Sequence, residues 1–287
     1  MRDIKLFSKE ITNVSSTMLM TLYCRALESK SEYPILKDPK SEEIVDAIND
    51  ELRKSSSKLA RKLSSGKVRS EMRVHIAIRT KQYDKYANEF LKEHPDGIIV
   101  NLGCGLDTRF HRIDNGQLTL YDLDLPEIID LKRTLLPEEE RYKYLGCSVL
   151  DHSWIDVVKA HGKPVLFIAE GLFMYLPQLE VENLVSKLSS LFEDSVLLCE
   201  IVNKKYTKGF YKKMVEFKLN KELKFGDNVT YEFGLTNSYE LEKLSPTIKV
   251  MDEWAYLDSN EDKLGWVRLF KNIKVFRTTQ WTARYKL

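Results

Sequence analysis

One stretch limits what this chain can fold into more than any other: Ile98-Ile-Val-Asn-Leu-Gly-Cys-Gly-Leu-Asp-Thr-Arg-Phe110. Ile98, Ile99 and Val100 form a consecutive β-branched run, the composition of a strand buried on both faces of a parallel sheet. Gly103 and Gly105 then break the run, and glycine at such a turn lets the main chain take angles closed to other residues and approach a ligand closely. Asp107 and Thr108 are helix-capping residues, so the spacing predicts a helix opening there, with its unsatisfied N–H groups turned toward whatever lies over the glycines. A glycine pair has an equally good structural explanation, and the decision comes from the residues downstream.

Leu118-Thr-Leu-Tyr-Asp-Leu-Asp-Leu-Pro126 predicts a second strand ending in carboxylates. Asp122 and Asp124 lie about twenty residues past the glycines, the spacing at which an acid at the end of the second strand meets a ribose hydroxyl. The spacing leaves open which of the two does so. A dinucleotide fingerprint would place a third glycine where this chain has Thr108, preceded by Asp107. A carboxylate beside a pyrophosphate is unfavourable, whereas it suits a cofactor that carries sulfonium and ammonium groups. S-adenosylmethionine is therefore preferred to NAD, with an NAD-dependent oxidoreductase and a non-catalytic cofactor-binding interaction module as the alternatives.

A chain of 287 residues is long enough for one large α/β domain with an appended lobe. Lys plus Arg number 45 against 43 for Asp plus Glu, a net charge of +2, which gives no global preference for nucleic acid or an acidic membrane. Cys24, Cys104, Cys147 and Cys199 form no C-x-x-C pair and read as small buried residues of a reduced compartment. His75, His94, His111, His152 and His161 lack metal-ligand spacing, so no metal is expected. The charged opening Met1-Arg-Asp-Ile-Lys-Leu-Phe-Ser-Lys-Glu10 is no signal peptide, and the apolar run at 18–24 is too short to span a bilayer, which predicts a cytoplasmic protein.

Along the chain, the spacing of Met18, Leu22 and Ala26 predicts a helix over 15–31, and Ser41-Glu-Glu-Ile44 an N-cap with an acidic first turn. A basic, serine-rich helix or loop is expected over 52–69 and a longer helix over 68–94, where Arg79 would ordinarily be a solvated residue. After the second strand come a short helix over 126–135, a third strand over 141–147, and a loop, Asp151-His-Ser-Trp154, that caps the next helix. Pro164-Val-Leu-Phe-Ile-Ala-Glu170 is a fourth strand and Ser195-Val-Leu-Leu-Cys-Glu-Ile-Val202 a fifth, with a helix over 179–192 between them. Strand ends of one polarity meet at one sheet edge, so Gly103, Asp122, Ser148 and Glu170 are expected to converge. The segment 203–234 reads as a lid or substrate lobe, with Phe210, Met214 and Phe217 at helical spacing and Lys204, Lys205, Lys208, Lys212 and Lys213 around them. A helix over 237–244, a strand over 247–251 and one or two closing strands over 273–287 complete seven strands.

Taken together, these residues resemble the leucine carboxyl methyltransferase superfamily, in its bacterial branch similar to the tetracenomycin polyketide O-methyltransferase. The matching motifs run in order through Arg25-Ala-Leu-Glu28, Lys37-Asp-Pro39, Arg79-Thr80 through Asp84, the glycine turn to Arg109, Tyr121-Asp-Leu-Asp-Leu-Pro-Glu127 with Lys132, and Ile168-Ala-Glu-Gly-Leu-Phe-Met-Tyr-Leu-Pro177. The resemblance implies a class I methyltransferase fold: a Rossmann-like, seven-stranded, mostly parallel sheet whose last strand is antiparallel, roofed by N-terminal helices and carrying an inserted lobe after strand 5. The single domain would divide into helices over 1–95, a cofactor core over 96–202, the lobe over 203–235 and closing strands over 236–287. It further implies that Arg79 grips the cofactor carboxylate, that Gly103, Cys104, Gly105 and Asp107 lie under its amino acid part, and that Asp122, Leu123 and Asp124 include the ribose ligand. Glu170 and Gly171 would lie near the cofactor amino group, and Tyr175 on the substrate side. Relatives offer Asp-Leu where this chain has Ser148-Val149, so the adenine amino group falls to Ser148, Asp151 or a main-chain carbonyl. The partner implied is a small-molecule acceptor bearing a carboxylate or acidic hydroxyl, methylated in line and without nucleic acid or membrane; a homodimer is compatible with this reading.

Overall fold

β1 (Ile98–Leu102) and β4 (Val165–Ala169) are buried at every position, as strands covered on both faces must be. They form the centre of a seven-stranded sheet, ordered β3-β2-β1-β4-β5-β7-β6, in a computed structural model that describes residues 13–223, 230–270, 273 and 277–287. β2 (Thr119–Asp124) and β3 (Tyr142–Gly146) continue it in parallel on one side and β5 (Val196–Val202) on the other. β7 (Gln280–Lys286) runs antiparallel to both β5 and β6 (Lys249–Trp254), between which it lies. The closing segment therefore supplies one strand, over 280–286; residues 271, 272 and 274–276 of the expected stretch lie outside the described residues.

Strand alternation sorts the side chains into two layers. Ile99, Leu120, Leu166 and Leu198 point to one face and pack against the N-terminal helices, whereas Val100, Leu102, Phe167 and Leu197 point to the other, against Trp154, Leu184 and Leu188. The first layer is built from α1 (Asn13–Ser29), α2 (Pro39–Lys54), α3 (Lys58–Ser64) and α4 (Ser70–Glu93). The start of α2 differs from expectation. Asp38, not Ser41, is its N-cap, accepting the Ser41 N–H at 3.1 Å, because Pro39 takes the first helical position, where its missing N–H costs nothing. The basic stretch over 52–69 resolves into the short α3, capped by Ser57.

Between the strands run α5 (Phe110–Ile113), α6 (Pro126–Leu135), α7 (Ser153–Lys159) and α8 (Gln178–Leu191). After β5 a 3₁₀ turn, Lys204–Thr207, leads into α9 (Gly209–Leu223), and the chain returns with the Glu232 N–H on the Met174 carbonyl at 2.8 Å. Residues 224–229 of the expected lobe, like the opening ten residues, lie outside the described part. Phe210, Met214 and Phe217 do fall on one helix, but Phe210 and Phe217 face solvent. Among the described residues no helix is long and apolar enough to cross a membrane.

Candidate functional site

The carboxyl ends of β1, β2, β4 and β5 open into one cavity of about 930 Å³, roofed by α1 and α4 and closed on its far side by residues of the segment after β5. Its floor is the glycine turn. Gly103 has φ 65°, and a side chain there would place its Cβ 2.8 Å from Leu172 Cδ1, so the position is closed to other residues. The Gly103 and Cys104 N–H groups both donate to the Leu123 carbonyl, at 2.8 and 3.1 Å, which pins the turn to the end of β2. Asp124 completes the clamp: its Oδ2 accepts the Gly105 N–H at 2.7 Å and its Oδ1 the Leu125 N–H at 2.8 Å. Burial nevertheless raises the Asp124 carboxyl above its ordinary range, the two amide donors opposing the effect.

Behind the turn lies a chain of alternating charges drawn from α1, the start of α2, α4, the glycine turn with α5, the end of β4 and β5. Arg79 of α4 donates to Glu170 Oε1 at 2.8 Å and to Glu200 Oε2 at 3.1 Å. Arg109 takes the other Glu170 oxygen at 2.6 Å and also reaches Asp107 at 2.7 Å and Asp84 at 2.9 Å. Arg112 joins Asp84 at 2.6 Å to Asp38 at 3.0 Å, and Arg25 closes the row on Asp38 at 3.0 Å. Burial works against the charged form of Asp107, Glu170 and Asp38, yet the facing guanidiniums hold all three carboxyls below the ordinary range. Four guanidiniums face five carboxylates, counting Glu200, so the row carries one uncompensated negative charge and Asp124 adds another beside it.

Of the residues expected at the site, Arg79, Gly103, Cys104, Gly105, Asp107, Leu123, Asp124, Ser148, Val149, Glu170, Gly171 and Tyr175 all line this cavity. Asp122 does not. It sits one pleat deeper than Asp124, buried, and accepts from Tyr142 Oη at 2.5 Å and Asn101 Nδ2 at 3.0 Å while paired with the buried Lys132 at 2.5 Å. Asp151 is exposed and accepts the Ser153 N–H at 3.1 Å ahead of α7, which leaves Ser148 and Val149 as the residues of that loop on the cavity. The free helix N-terminus expected at Asp107 and Thr108 is also absent. Asp107 Oδ1 takes the Thr108 and Arg109 N–H groups itself, and the helix that follows, α5, is one turn long.

Arg79 is no solvated helix residue, its side chain being 14 % exposed between two carboxylates. Burial pushes the Tyr175 phenol up to about 12, with Glu200 adding to the effect, and pushes the Cys104 thiol well above its ordinary value. Neither is a base or nucleophile near neutrality. The main omission of the sequence reading is Glu200, whose signal was its place as the only charged residue in the apolar run of β5. Lys204, Lys205, Lys208, Lys212 and Lys213 do not line the cavity; Met214, Val215, Tyr206 and Tyr231 do.

A seven-stranded sheet in this order, with an antiparallel strand in the penultimate place and a cavity at its carboxyl edge, is the class I methyltransferase fold. The sequence model of the leucine carboxyl methyltransferase family matches residues 18–189. The tetracenomycin polyketide synthesis O-methyltransferase of Streptomyces glaucescens is 30% identical over 256 residues, 87% of this chain and 85% of that protein. An S-adenosyl-L-methionine-dependent methyltransferase of Gibberella zeae is 30% identical over 199 residues, 67% of this chain and 65% of its own length. Among solved structures, a DUF574 family protein from Streptomyces avermitilis superposes with a TM-score of 0.54 at 13% identity, covering 93% of this chain and 96% of that one, which shows the shared fold. The chain belongs to the leucine carboxyl methyltransferase family. It is thus an enzyme of the methyltransferase class, and the oxidoreductase and non-catalytic readings fall away.

Proposed function

We propose that the protein transfers the methyl group of S-adenosylmethionine to an ionised oxygen, a carboxylate or acidic hydroxyl, of a small organic molecule. The donor set fits that cofactor. The negative excess of the charged row and Asp124 favours a ligand with sulfonium and ammonium charges over one with a pyrophosphate. When the cofactor is bound, Asp124, at the strand end, would take the ribose hydroxyls, Glu170 and Asp107 would lie toward the ammonium, Arg79 toward the cofactor carboxylate, and Ser148 and Val149 beside the adenine. When bound, the sulfonium supplies a methyl group already activated toward an oxygen nucleophile.

The observation that carries the acceptor class is that neither Tyr175 nor Glu170, the two groups expected to act at this edge, is poised as a base. Tyr175 is held protonated to about pH 12, and both oxygens of Glu170 are taken by Arg79 and Arg109. An acceptor that arrives as an anion needs no proton removed, so the protein's part is to position it in line and to exclude water. Tyr175, Tyr231 and Tyr206, with Met174 and Met214, wall the far part of the cavity with apolar and aromatic surface suited to that exclusion.

An acceptor screen with radiolabelled methyl donor, followed by mild base, tests the reading. Release of labelled methanol identifies a methyl ester; base-stable product assigns an ether, and turnover restricted to neutral alcohols or amines overturns the proposal.

A further inference from the structure

β5 carries one charged residue, Glu200, in a run otherwise apolar, and that residue is only 3% exposed. A buried carboxylate costs free energy unless it is paired, and an apolar pair of similar size often serves a fold as well or better. What Glu200 touches is therefore informative. It stands two places beyond Leu198, on the face of the sheet that lies under the N-terminal helices, and there it meets Arg79. Arg79 Nη1 donates to Glu200 Oε2 at 3.1 Å and to Oε1 at 3.4 Å, and Gln280 Nε2, diagonally across the β5–β7 ladder, donates to Oε1 as well. Arg79 lines the main cavity and Glu200 does not, so what Glu200 contributes to a ligand there passes through Arg79.

The contacts of Glu170 explain why Arg79 has two carboxylates. Glu170 offers it one oxygen only: Oε1 takes the Arg79 Nε–H at 2.8 Å, and Oε2 is held by Arg109 Nη2 at 2.6 Å. The usual fork of two parallel hydrogen bonds to one carboxylate is thus closed to Arg79. A guanidinium held at one point can still turn about that bond, whereas a second point on a different nitrogen fixes its plane. Glu200 supplies that point. With Nε and Nη1 engaged, Nη2 donates to no described residue. Gly171, on the wall of the main cavity, leaves the pair uncovered: a Cβ there would stand 3.5 Å from Glu200 Oε2, 3.7 Å from Arg79 Nη1 and 3.9 Å from Nη2.

We infer that Glu200 is a positioning residue for the cofactor carboxylate: with Glu170 it fixes the Arg79 guanidinium so that Nη2 is presented to the main cavity beside Gly171. This role rests on the methyl-transfer reading, in which S-adenosylmethionine occupies that cavity. The cofactor brings an ammonium with its carboxylate, so no net anion is set against the charged row. Position and not charge is what Glu200 contributes, because its negative charge taken alone repels the carboxylate that Arg79 receives.

Calorimetry on the full-length protein with two ligands tests this. S-adenosylhomocysteine carries the amino acid part; 5′-methylthioadenosine has the same adenine, ribose and thioether without it. Glu200→Asp keeps the charge but draws the carboxylate back by one methylene, and is expected to weaken S-adenosylhomocysteine about tenfold while leaving 5′-methylthioadenosine within about twofold. Glu200→Gln keeps the reach and loses the charge; its amide oxygen accepts from Nη1 as the Gln280 amide turns over, and S-adenosylhomocysteine is expected to stay within about threefold of the parent. In an Arg79→Ala background, Glu200→Asp is expected to add no further loss. A greater loss of S-adenosylhomocysteine in Glu200→Gln than in Glu200→Asp makes Glu200 a counter-charge only and overturns the inference, as does an equal loss of both ligands in Glu200→Asp. A parent that binds both ligands, with S-adenosylhomocysteine indifferent to either substitution, overturns the inference and leaves the methyl-transfer reading standing. A parent that binds neither overturns both.

Discussion

Arg79 and Glu170, 91 positions apart in the chain, meet at 2.8 Å at the point where the helical roof touches the end of β4. The pair is one link of a row that also fixes Glu200, so Arg79 is at once a wall of the main cavity and the counter-charge of two carboxylates.

Arg79→Ala leaves Glu170 and Glu200 facing each other without their shared cation. Removing one partner from a buried pair costs about 3–5 kcal/mol of stability, and loss of a charge-assisted contact in a shielded site weakens the bound cofactor by about 2–5 kcal/mol. Arg79→Lys, with one point charge in place of a fork, is expected to restore stability better than affinity. Denaturant unfolding and calorimetry with S-adenosylhomocysteine measure the two effects; unchanged affinity in a folded Arg79→Ala protein removes Arg79 from the cofactor site.

The two acids of β2 are expected to separate cleanly. Asp122→Asn strips the buried Lys132 of its ionic partner and is expected to lower stability by about 3–5 kcal/mol. Asp124→Asn loses an anionic acceptor at the cavity and is expected to lower affinity for S-adenosylhomocysteine at least tenfold, with a smaller change in stability. The reverse pattern in the same two measurements would return the ribose to Asp122.

Acid is expected to unlock the charged row. Asp107, Glu170 and Asp38 have folded carboxyl pKa values below those of the unfolded chain, which are about 3.9 for Asp and 4.3 for Glu. A depressed carboxyl contributes stability that is fully present above its unfolded value and is lost as pH falls through the folded one. The thermal midpoint is therefore expected to be flat between about pH 6 and 8 and to fall below about pH 4. A midpoint that rises on acidification contradicts the arrangement.

Tyr175→Phe removes only the hydroxyl. A general base contributes about 10²–10⁴-fold, so with the phenol held protonated up to about 12, turnover is expected to fall less than tenfold and its pH profile to keep its shape. A loss beyond a hundredfold with a shifted profile would make Tyr175 the base.

What could be read in the sequence was local. β1, the glycine turn, the acid at the end of β2 and the carboxylate after β4 each announce themselves within ten residues, because strand burial and turn chemistry are short-range properties. Asp122 and Asp124 could not be told apart, since they share a face and differ only in depth, which the neighbours Tyr142 and Lys132 decide. The pairing within the charged row was illegible for the same reason: Arg25, Asp38, Asp84 and Arg109 fall in motifs of the resemblance, but nothing local joins them to one another or to Arg112 until α1, α2, α4 and the glycine turn are brought together. Asp107 adds a local effect: its own Oδ1 takes the Thr108 and Arg109 N–H groups, so the expected helix start becomes a turn and the helix begins only at Phe110.

The place of β7 between β5 and β6 has a consequence for how the molecule is assembled. β5 and β6 do not pair with each other, and the strand that bridges them is made nearly eighty residues after β5 ends. Pairings of such sequence separation form late, because the loop must close before any ladder bond rewards it. On the ribosome, the glycine turn, Asp124 and Glu170 can therefore gather while β5 is still an open edge of the sheet, awaiting the strand that covers it.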